Sequence, residues 1–301
     1  MLDIIEAEAA FTSEVAAVRT ERDVVEVAGP DACEYLHGQL SQDVEGLPEG
    51  QSTATLLLQP QGKIDGWLRL TRLGGDRYWL DVDPGFGQQA LDRLLRFKLR
   101  VDAELSLVTL PMVAVRGPRV GRWPAHDRPD APPGGAVLDA LWPGVEGVDI
   151  IGEGAAIPPG MAEASASSLE ALRIRLGIPM MGAELTTSTI PASAGIVDRS
   201  VDFTKGCYVG QELVARIDSR GSNTPTKLRA VRFAPDQPLP LAGAAIRAGG
   251  DVVGELTSVT EATSGDPFGL AYIKRAVEVP SAAEVVAEDG SSVAAELSAL
   301  G

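Results

Sequence analysis

The residues best equipped for chemistry stand together in Lys205-Gly206-Cys207-Tyr208-Val209-Gly210-Gln211-Glu212. A thiol lies between two glycines, with an ammonium group shortly before it and a carboxylate shortly after. A nearby cation favours thiolate over thiol, and glycine permits tight turns and the close approach of a ligand or a partner backbone. That spacing suits an exposed, reactive cysteine. A lone cysteine beside a lysine is also commonly inert, so residue types alone leave both readings open. The following run, Leu213-Val214-Ala215-Arg216-Ile217, fits strand or helix equally well. Arg216 and Arg220 have Glu212 and Asp218 as local partners, and a guanidinium fork also suits the carboxylates of a ligand; for Arg216 the ligand reading is favoured.

Other chemistry-bearing residues read as structural. Cys33 and His37 fall four apart on an expected helix, but with only 2 Cys and 2 His in the chain a four-ligand zinc site is not expected, and no metal is assigned. Two cysteines are also too few for a disulfide framework. Tyr35 and Leu36 are expected in the core and His126 in solvent. Arg93, Arg96, Lys98 and Arg100 read as the solvated face of a helix.

These residues must be carried by a mixed fold. Residues 23–28 read as a strand, followed by Gly29-Pro30-Asp31 and a helical pattern of Ala32, Tyr35, Leu36 and Leu40. Strands over 53–59, 64–71 and 77–82 follow as hairpins, then a helix over 87–100 with Leu91, Leu94, Leu95 and Leu99 on one face, then a strand over 105–115. Residues 117–160 are rich in Pro, Gly and Asp, with strands near 136–141 and 148–151. Ser167-Ser168-Leu169-Glu170 has capping-box spacing for a helix through Leu176. Beyond residue 223 the pattern is short strands alone, near 228–233, 252–260, 268–273 and 283–287. The expectation is an α+β region of ferredoxin-like flavour over 1–223, in two interlocked parts of about 1–116 and 117–223, and an antiparallel β-barrel or sandwich over 224–301.

Composition narrows the function. The chain has 301 residues, room for about two domains, and 42 acidic against 26 basic residues give a net charge of −16. Such a field repels phosphate backbones, so direct nucleic-acid binding is not expected. No apolar run approaches a membrane span, and the mixed acidic start is unlike a signal peptide, so the expected location is cytoplasmic.

Residues 205–221, read K-G-C-Y-V-G-Q-E-L-V-A-R-I-D-S-R-G, resemble the signature of the YgfZ family of folate-binding proteins. Three further blocks resemble that family in order: Gly29 to Val44, with Tyr35-Leu36-His37-Gly38-Gln39-Leu40; Leu58-Gln59-Pro60-Gln61-Gly62-Lys63-Ile64; and Leu172 to Pro191, with Gly182-Ala183-Glu184-Leu185. The resemblance implies the fold of the glycine-cleavage aminomethyltransferase, with a C-terminal β-barrel and a central cavity for tetrahydrofolate or a derivative. It implies that Glu184 accepts bonds from the pterin's guanidine-like edge, with Gln39, Lys63, Tyr208, Gln211, Glu212 and Arg216 as further folate-binding candidates. The basic helix face would then be a possible seat for a polyglutamate tail.

The resemblance also implies an accessory role in assembly or repair of iron–sulfur enzymes, tRNA-modifying ones among them. Iron–sulfur proteins or their assembly machinery would be the partners, and Cys207, Lys205 and Asp65 the reactive groups. Thiol exchange, transient cluster contact and one-carbon chemistry stay open for Cys207. The transferases carry two adjacent acids where this chain has Asp65-Gly66, so loss of the second acid weakens the enzyme reading. An aminomethyltransferase and a scaffold without ligand are the alternatives. Enterobacterial YgfZ proteins have tryptophans at the positions of Arg22 and Leu169, so aromatic stacking on a pterin would have to come from elsewhere.

Overall fold

The computed structural model describes residues 1–122, 128–235, 237–261, 267–287 and 290–300; the expectation for His126 lies outside them. Helix α1 (Ile4–Ser13) opens on a capping box in which the Asp3 side chain accepts from the Glu6 amide and Glu6 accepts from Asp3. Strand β1 (Ala16–Ala28) then runs through the middle of the main sheet. It starts well before the segment 23–28 marked by its apolar run. Residues 19–22 are largely polar and are held in the strand by antiparallel pairing with β5 (Glu104–Arg116) along its whole length.

Helix α2 (Ala32–Gln39) follows, then the meander β2 (Ser52–Leu58), β3 (Ile64–Gly74) and β4 (Arg77–Val82), and helix α3 (Gly87–Arg96). With β6 (Ala136–Asp139) and β7 (Gly147–Ile151) the sheet order is β2-β3-β4-β1-β5-β7-β6, and the short β8 (Ala162–Ala164) lies parallel to β1. One sheet therefore crosses the expected division at 116/117, because β5 pairs with β7 directly. Apolar side chains of α2 and α3, among them Leu36, Leu40 and Leu94, pack with Val25, Leu56 and Leu80 into the largest core cluster. Tyr35 and Leu36 are buried as expected, with the Tyr35 hydroxyl donating to the Leu94 carbonyl at 2.6 Å.

Two helices differ from the sequence reading. Helix α3 ends at Arg96, so Leu95 and Leu99 are exposed at 46% and 82%. Its buried face is Ala90, Arg93 and Leu94. Helix α4 (Ala166–Arg175) is capped by Ser165, whose hydroxyl accepts from the Ser168 amide; Ser167 already lies in the first turn.

Short helices α5 (Pro191–Ala194) and α6 (Val197–Ser200) lead to α7 (Gln211–Asp218), which resolves the ambiguous 213–217 run as helix. Strands β9 (Thr226–Phe233), β10 (Ala245–Ala248), β11 (Asp251–Thr260), β12 (Phe268–Lys274), β13 (Ser281–Val286) and β14 (Ser292–Ser298) close into a barrel in the order β10-β11-β12-β9-β14-β13. Alternate residues such as Val231, Phe233, Ile246, Leu256 and Val285 fill its interior. Ile174 of α4 packs with Leu228 and Leu270 and seats the barrel on the main region.

Candidate functional site

Between the face of the sheet and α4 lies a cavity of about 220 Å³, whose walls include Arg22, Arg69, Asp83, Trp67, Trp142 and Leu169. The charged walls arise because β1, β3, β4 and β7 each present a polar residue on this face. Arg69 donates to Asp81 at 2.8 and 3.2 Å and to Asp149 at 2.7 Å; Arg116 donates to Asp149 at 2.8 Å; Arg22 donates to Asp81 at 2.9 Å and pairs with Asp83. Buried charges are tolerated only when paired in this way. Burial alone would raise the Asp149 carboxyl, but Arg116 and Arg69 outweigh it and hold the group below the usual carboxylate range. Burial lowers Arg116 despite Asp149, and its Nε is buried with no hydrogen-bond partner. The Arg116 guanidinium stacks 4.6 Å from the centre of the Trp142 ring.

Arg22 and Leu169, where tryptophan was expected to be missing, do line this cavity, and Trp67 and Trp142 supply indoles from other elements. The cavity thus combines aromatic surface, a guanidinium paired to Asp83, and an unsatisfied N–H group. A planar heterocycle with adjacent hydrogen-bond donors and acceptors fits such a donor set. The volume lies below the roughly 300–1,000 Å³ of sites that enclose drug-sized ligands, so it suits a ring system with any tail leading outward.

None of the folate-binding residues expected from the sequence lines the cavity. Glu184 is 1% exposed, and its Oε1 accepts from Thr257 and Ser258 at 2.8 and 2.5 Å while its Oε2 accepts from Arg173 and the Met180 amide at 3.0 and 3.1 Å. Its acceptor sites are filled by protein donors, so in this structure Glu184 ties together α4, the 180–185 turn and the barrel. Gln39 accepts from Arg93 at 3.1 Å. Arg93 is corrected from solvated to buried: it also donates to the Leu58 carbonyl at 2.8 Å and pairs with Asp65 at 3.3 Å. Asp65 accepts from Gln59 at 3.0 Å with its other oxygen, so both its oxygens face protein donors. Lys63 is half-buried in the 59–63 turn, and Glu212 and Arg216 are exposed on α7 with no ion pair among the described residues.

The thiol loop forms a second place. Gly62 and Gly210 have left-handed φ values of 70° and 85°, and a Cβ on Gly210 would lie 2.5 Å from the Gln59 carbonyl oxygen. The second sequence block and the cysteine signature are thus packed backbone to backbone. The Tyr208 amide donates to Gln211 at 3.3 Å, and burial pushes the Tyr208 phenol up to about 12. Lys205 donates to the carbonyls of His37 and Leu40, at 2.8 Å for Leu40. Burial, only partly offset by Asp43, Asp202 and Glu45, pushes its ammonium down to about 8. Lys205 therefore clamps the loop to the end of α2 and does not stand free beside the exposed Cys207. Cys33, the other cysteine, is half-buried with its thiol near Tyr78.

Apart from positions 22 and 169, sequence reasoning missed the cavity residues because they lie far apart in the chain. A signal was present in Arg69 and Asp81, charges inside otherwise apolar strands, which must pair when buried.

Trp67 lies between the two places. It lines the cavity, its Nε1 donates to Ser200 Oγ at 2.9 Å, and the Ser200 carbonyl accepts from Ser41, next to the carbonyl held by Lys205. No helix among the described residues is long and apolar enough to cross a membrane.

No protein-family model matches the chain. It is 30% identical over 220 residues to the tRNA-modifying protein YgfZ of Edwardsiella ictaluri, covering 66% of this chain and 65% of that protein. It is 28% identical over 288 residues to an aminomethyltransferase of Streptomyces coelicolor, covering 85% and 77%. The crystal structure of the glycine cleavage system aminomethyltransferase T from Bartonella henselae superposes with a TM-score of 0.82 at 20% identity, covering 99% of this chain and 89% of that one, which shows the aminomethyltransferase fold. With the fold, the cavity and the cysteine loop in place, the chain is similar in sequence to YgfZ and aminomethyltransferase proteins and has the aminomethyltransferase fold.

Proposed function

We propose that this protein binds a reduced folate in the central cavity and serves as an accessory factor for iron–sulfur enzymes, with Cys207 as its functional thiol. The cavity itself carries the reading: two indoles, the Arg22–Asp83 pair and the unpartnered Arg116 Nε surround a space suited to a bicyclic ring. Trp67 and Trp142 would flank the pterin, Asp83 and Arg22 would orient its polar edge, and the glutamyl tail would leave through the mouth. The folate, when bound, would supply one-carbon chemistry or act as a structural ligand.

The state of Asp65 favours the accessory role over aminomethyl transfer. Both its oxygens are engaged by Gln59 and Arg93, and the neighbouring second acid is Gly66. Neither residue lines the cavity. A charge assisting transfer must reach the reacting atoms, and Asp65 is held away from this space. The net charge of −16 favours an indirect link to tRNA through iron–sulfur partner proteins in the cytoplasm.

Calorimetric titration with tetrahydrofolate tests the binding. We expect saturable binding in the wild type and at least a tenfold loss in Trp142→Ala, about 1.4 kcal/mol, with folding retained. No binding by the folded wild type would leave the scaffold reading, and turnover of an aminomethyl donor would restore the enzyme reading. Complementation of a strain lacking its own protein tests the thiol, since full rescue by Cys207→Ala would remove Cys207 from the function.

A further inference from the structure

Strand β1 has a gap along one edge. On one side it pairs with β5 along its whole length; on the other it pairs with β8 over residues 16–18 and with β4 over 23–28, so residues 19–22 have no strand in register there. Two hydrogen bonds fix which residue points into that gap. Glu21 stands opposite Pro111, whose carbonyl turns away from β1 to accept from the Gly152 amide at 3.0 Å. Opposed residues of an antiparallel pair either face each other or both face away, so Glu21 presents its N–H and C=O to the edge away from β5. The Gly29 amide, an even number of residues further on, donates across that same edge to the Asp76 carbonyl at 3.1 Å, as the alternation requires.

Neither polar group of the Glu21 backbone has a hydrogen-bond partner among the described residues. Backbone groups left open by secondary structure are satisfied by water, by a side chain or by a ligand. The gap opens into the central cavity. Thr20, Glu21 and Arg22 line the cavity in succession, Asp83 and Pro84 just after β4 form one flank, and Ala166 and Leu169 of α4, just after β8, form the other. Arg22 puts its side chain on the cavity face, so alternation sends the exposed Glu21 side chain to the opposite face. What position 21 brings to the cavity is therefore its peptide edge.

We propose that the Glu21 backbone reads the lactam edge of the ligand's pyrimidinone ring. Its N–H donates to the ring carbonyl and its C=O accepts from the adjacent ring N–H, so the ligand takes the place of the missing strand. The inference rests on the reading of the cavity as a folate site and names what selects the ring. A lactam offers an acceptor next to a donor, the complement of one strand residue. The 4-amino analogue reverses the two, setting an amine donor against the Glu21 N–H and a bare ring nitrogen against its carbonyl, and both contacts become repulsive.

The test is calorimetric titration of the full chain with tetrahydrofolate and with tetrahydroaminopterin, its 4-amino analogue. The wild type should bind tetrahydrofolate at least about a hundredfold more tightly, since a site built around specific donors and acceptors rejects an analogue that reverses them. Glu21→Pro removes the N–H alone, and that group takes no part in the β1–β5 ladder, so strand pairing survives. It should weaken tetrahydrofolate about tenfold and narrow the preference by a similar factor. Glu21→Ala keeps the N–H and should keep the preference. Equal affinity of the wild type for the two compounds would overturn the proposal whether or not Glu21→Pro folds. A folded Glu21→Pro with the wild-type preference would overturn it too, as would a preference lost in Glu21→Ala, which would move the recognition to the side chain. Binding of neither compound by the folded wild type would remove the folate reading of the cavity, and this inference with it.

Discussion

Glu184→Gln separates a structural carboxylate from a ligand-binding one. The side chain of Glu184 is fully buried and receives donors from α4, from the 180–185 turn and from β11 of the barrel; the Tyr272 hydroxyl of β12 donates to its backbone carbonyl at 3.0 Å. Removing one member of a buried ion pair costs about 3–5 kcal/mol. Two features place this change at the lower end. Arg173 keeps Glu170, at 2.5 and 2.7 Å, and the hydroxyls of Thr257 and Ser258 can accept from the new amide. A loss of about 3 kcal/mol corresponds to roughly 6–12 °C in Tm for a chain of this size. Differential scanning calorimetry on Glu184→Gln, Arg173→Met and the double variant reads it, and the double variant should lose less than the sum of the two. A Tm within about 2 °C of wild type with folate binding abolished would refute the reasoning and return Glu184 to the ligand.

Two further outcomes follow from the cysteine loop. Gly210→Ala places a Cβ 2.5 Å from the Gln59 oxygen at a φ of 85°, and should lower the urea midpoint by the equivalent of about 2 kcal/mol or more; an unchanged midpoint would show that the two loops are not packed together. Lys205 releases its proton near 8 in the folded protein and near 10.5 when unfolded. Between those values the unfolded chain holds more protons, so this group makes stability rise with pH across that window. Lys205→Met should flatten that rise, measured as urea midpoints at pH 7.5 and 9.5, and an identical slope in the variant would count against a buried ammonium.

Much of the fold was legible because apolar periodicity reports burial directly. The meander, α2 and four of the barrel strands stand where alternation and turn residues put them. Failures fell where a partner elsewhere decides. Residues 19–22 are polar and gain their strand conformation from β5. Leu95 and Leu99 matched a helical stripe, but the helix stops at Arg96, and the buried position at 93 belongs to an arginine paired with Asp65. Strands β10 and β14 are short or mixed and exist because barrel closure supplies their neighbours.

The sequence by itself determined the cysteine block, the glycines at 62 and 210 that let two loops meet, the acidic charge and the split between mixed fold and barrel. These are local properties, fixed by residue type and spacing. Tertiary structure decided which groups are free to act. Lys205, Asp65 and Glu184 look available in the sequence, yet each is engaged by donors or acceptors brought from distant segments. Arg22, Asp83, Trp67 and Trp142 carry no shared local pattern, yet one sheet and its packing against α4 assemble them into a cavity. Hydrogen-bond capacity is finite and distance-limited, so the availability of a side chain is settled only when the chain has folded around it.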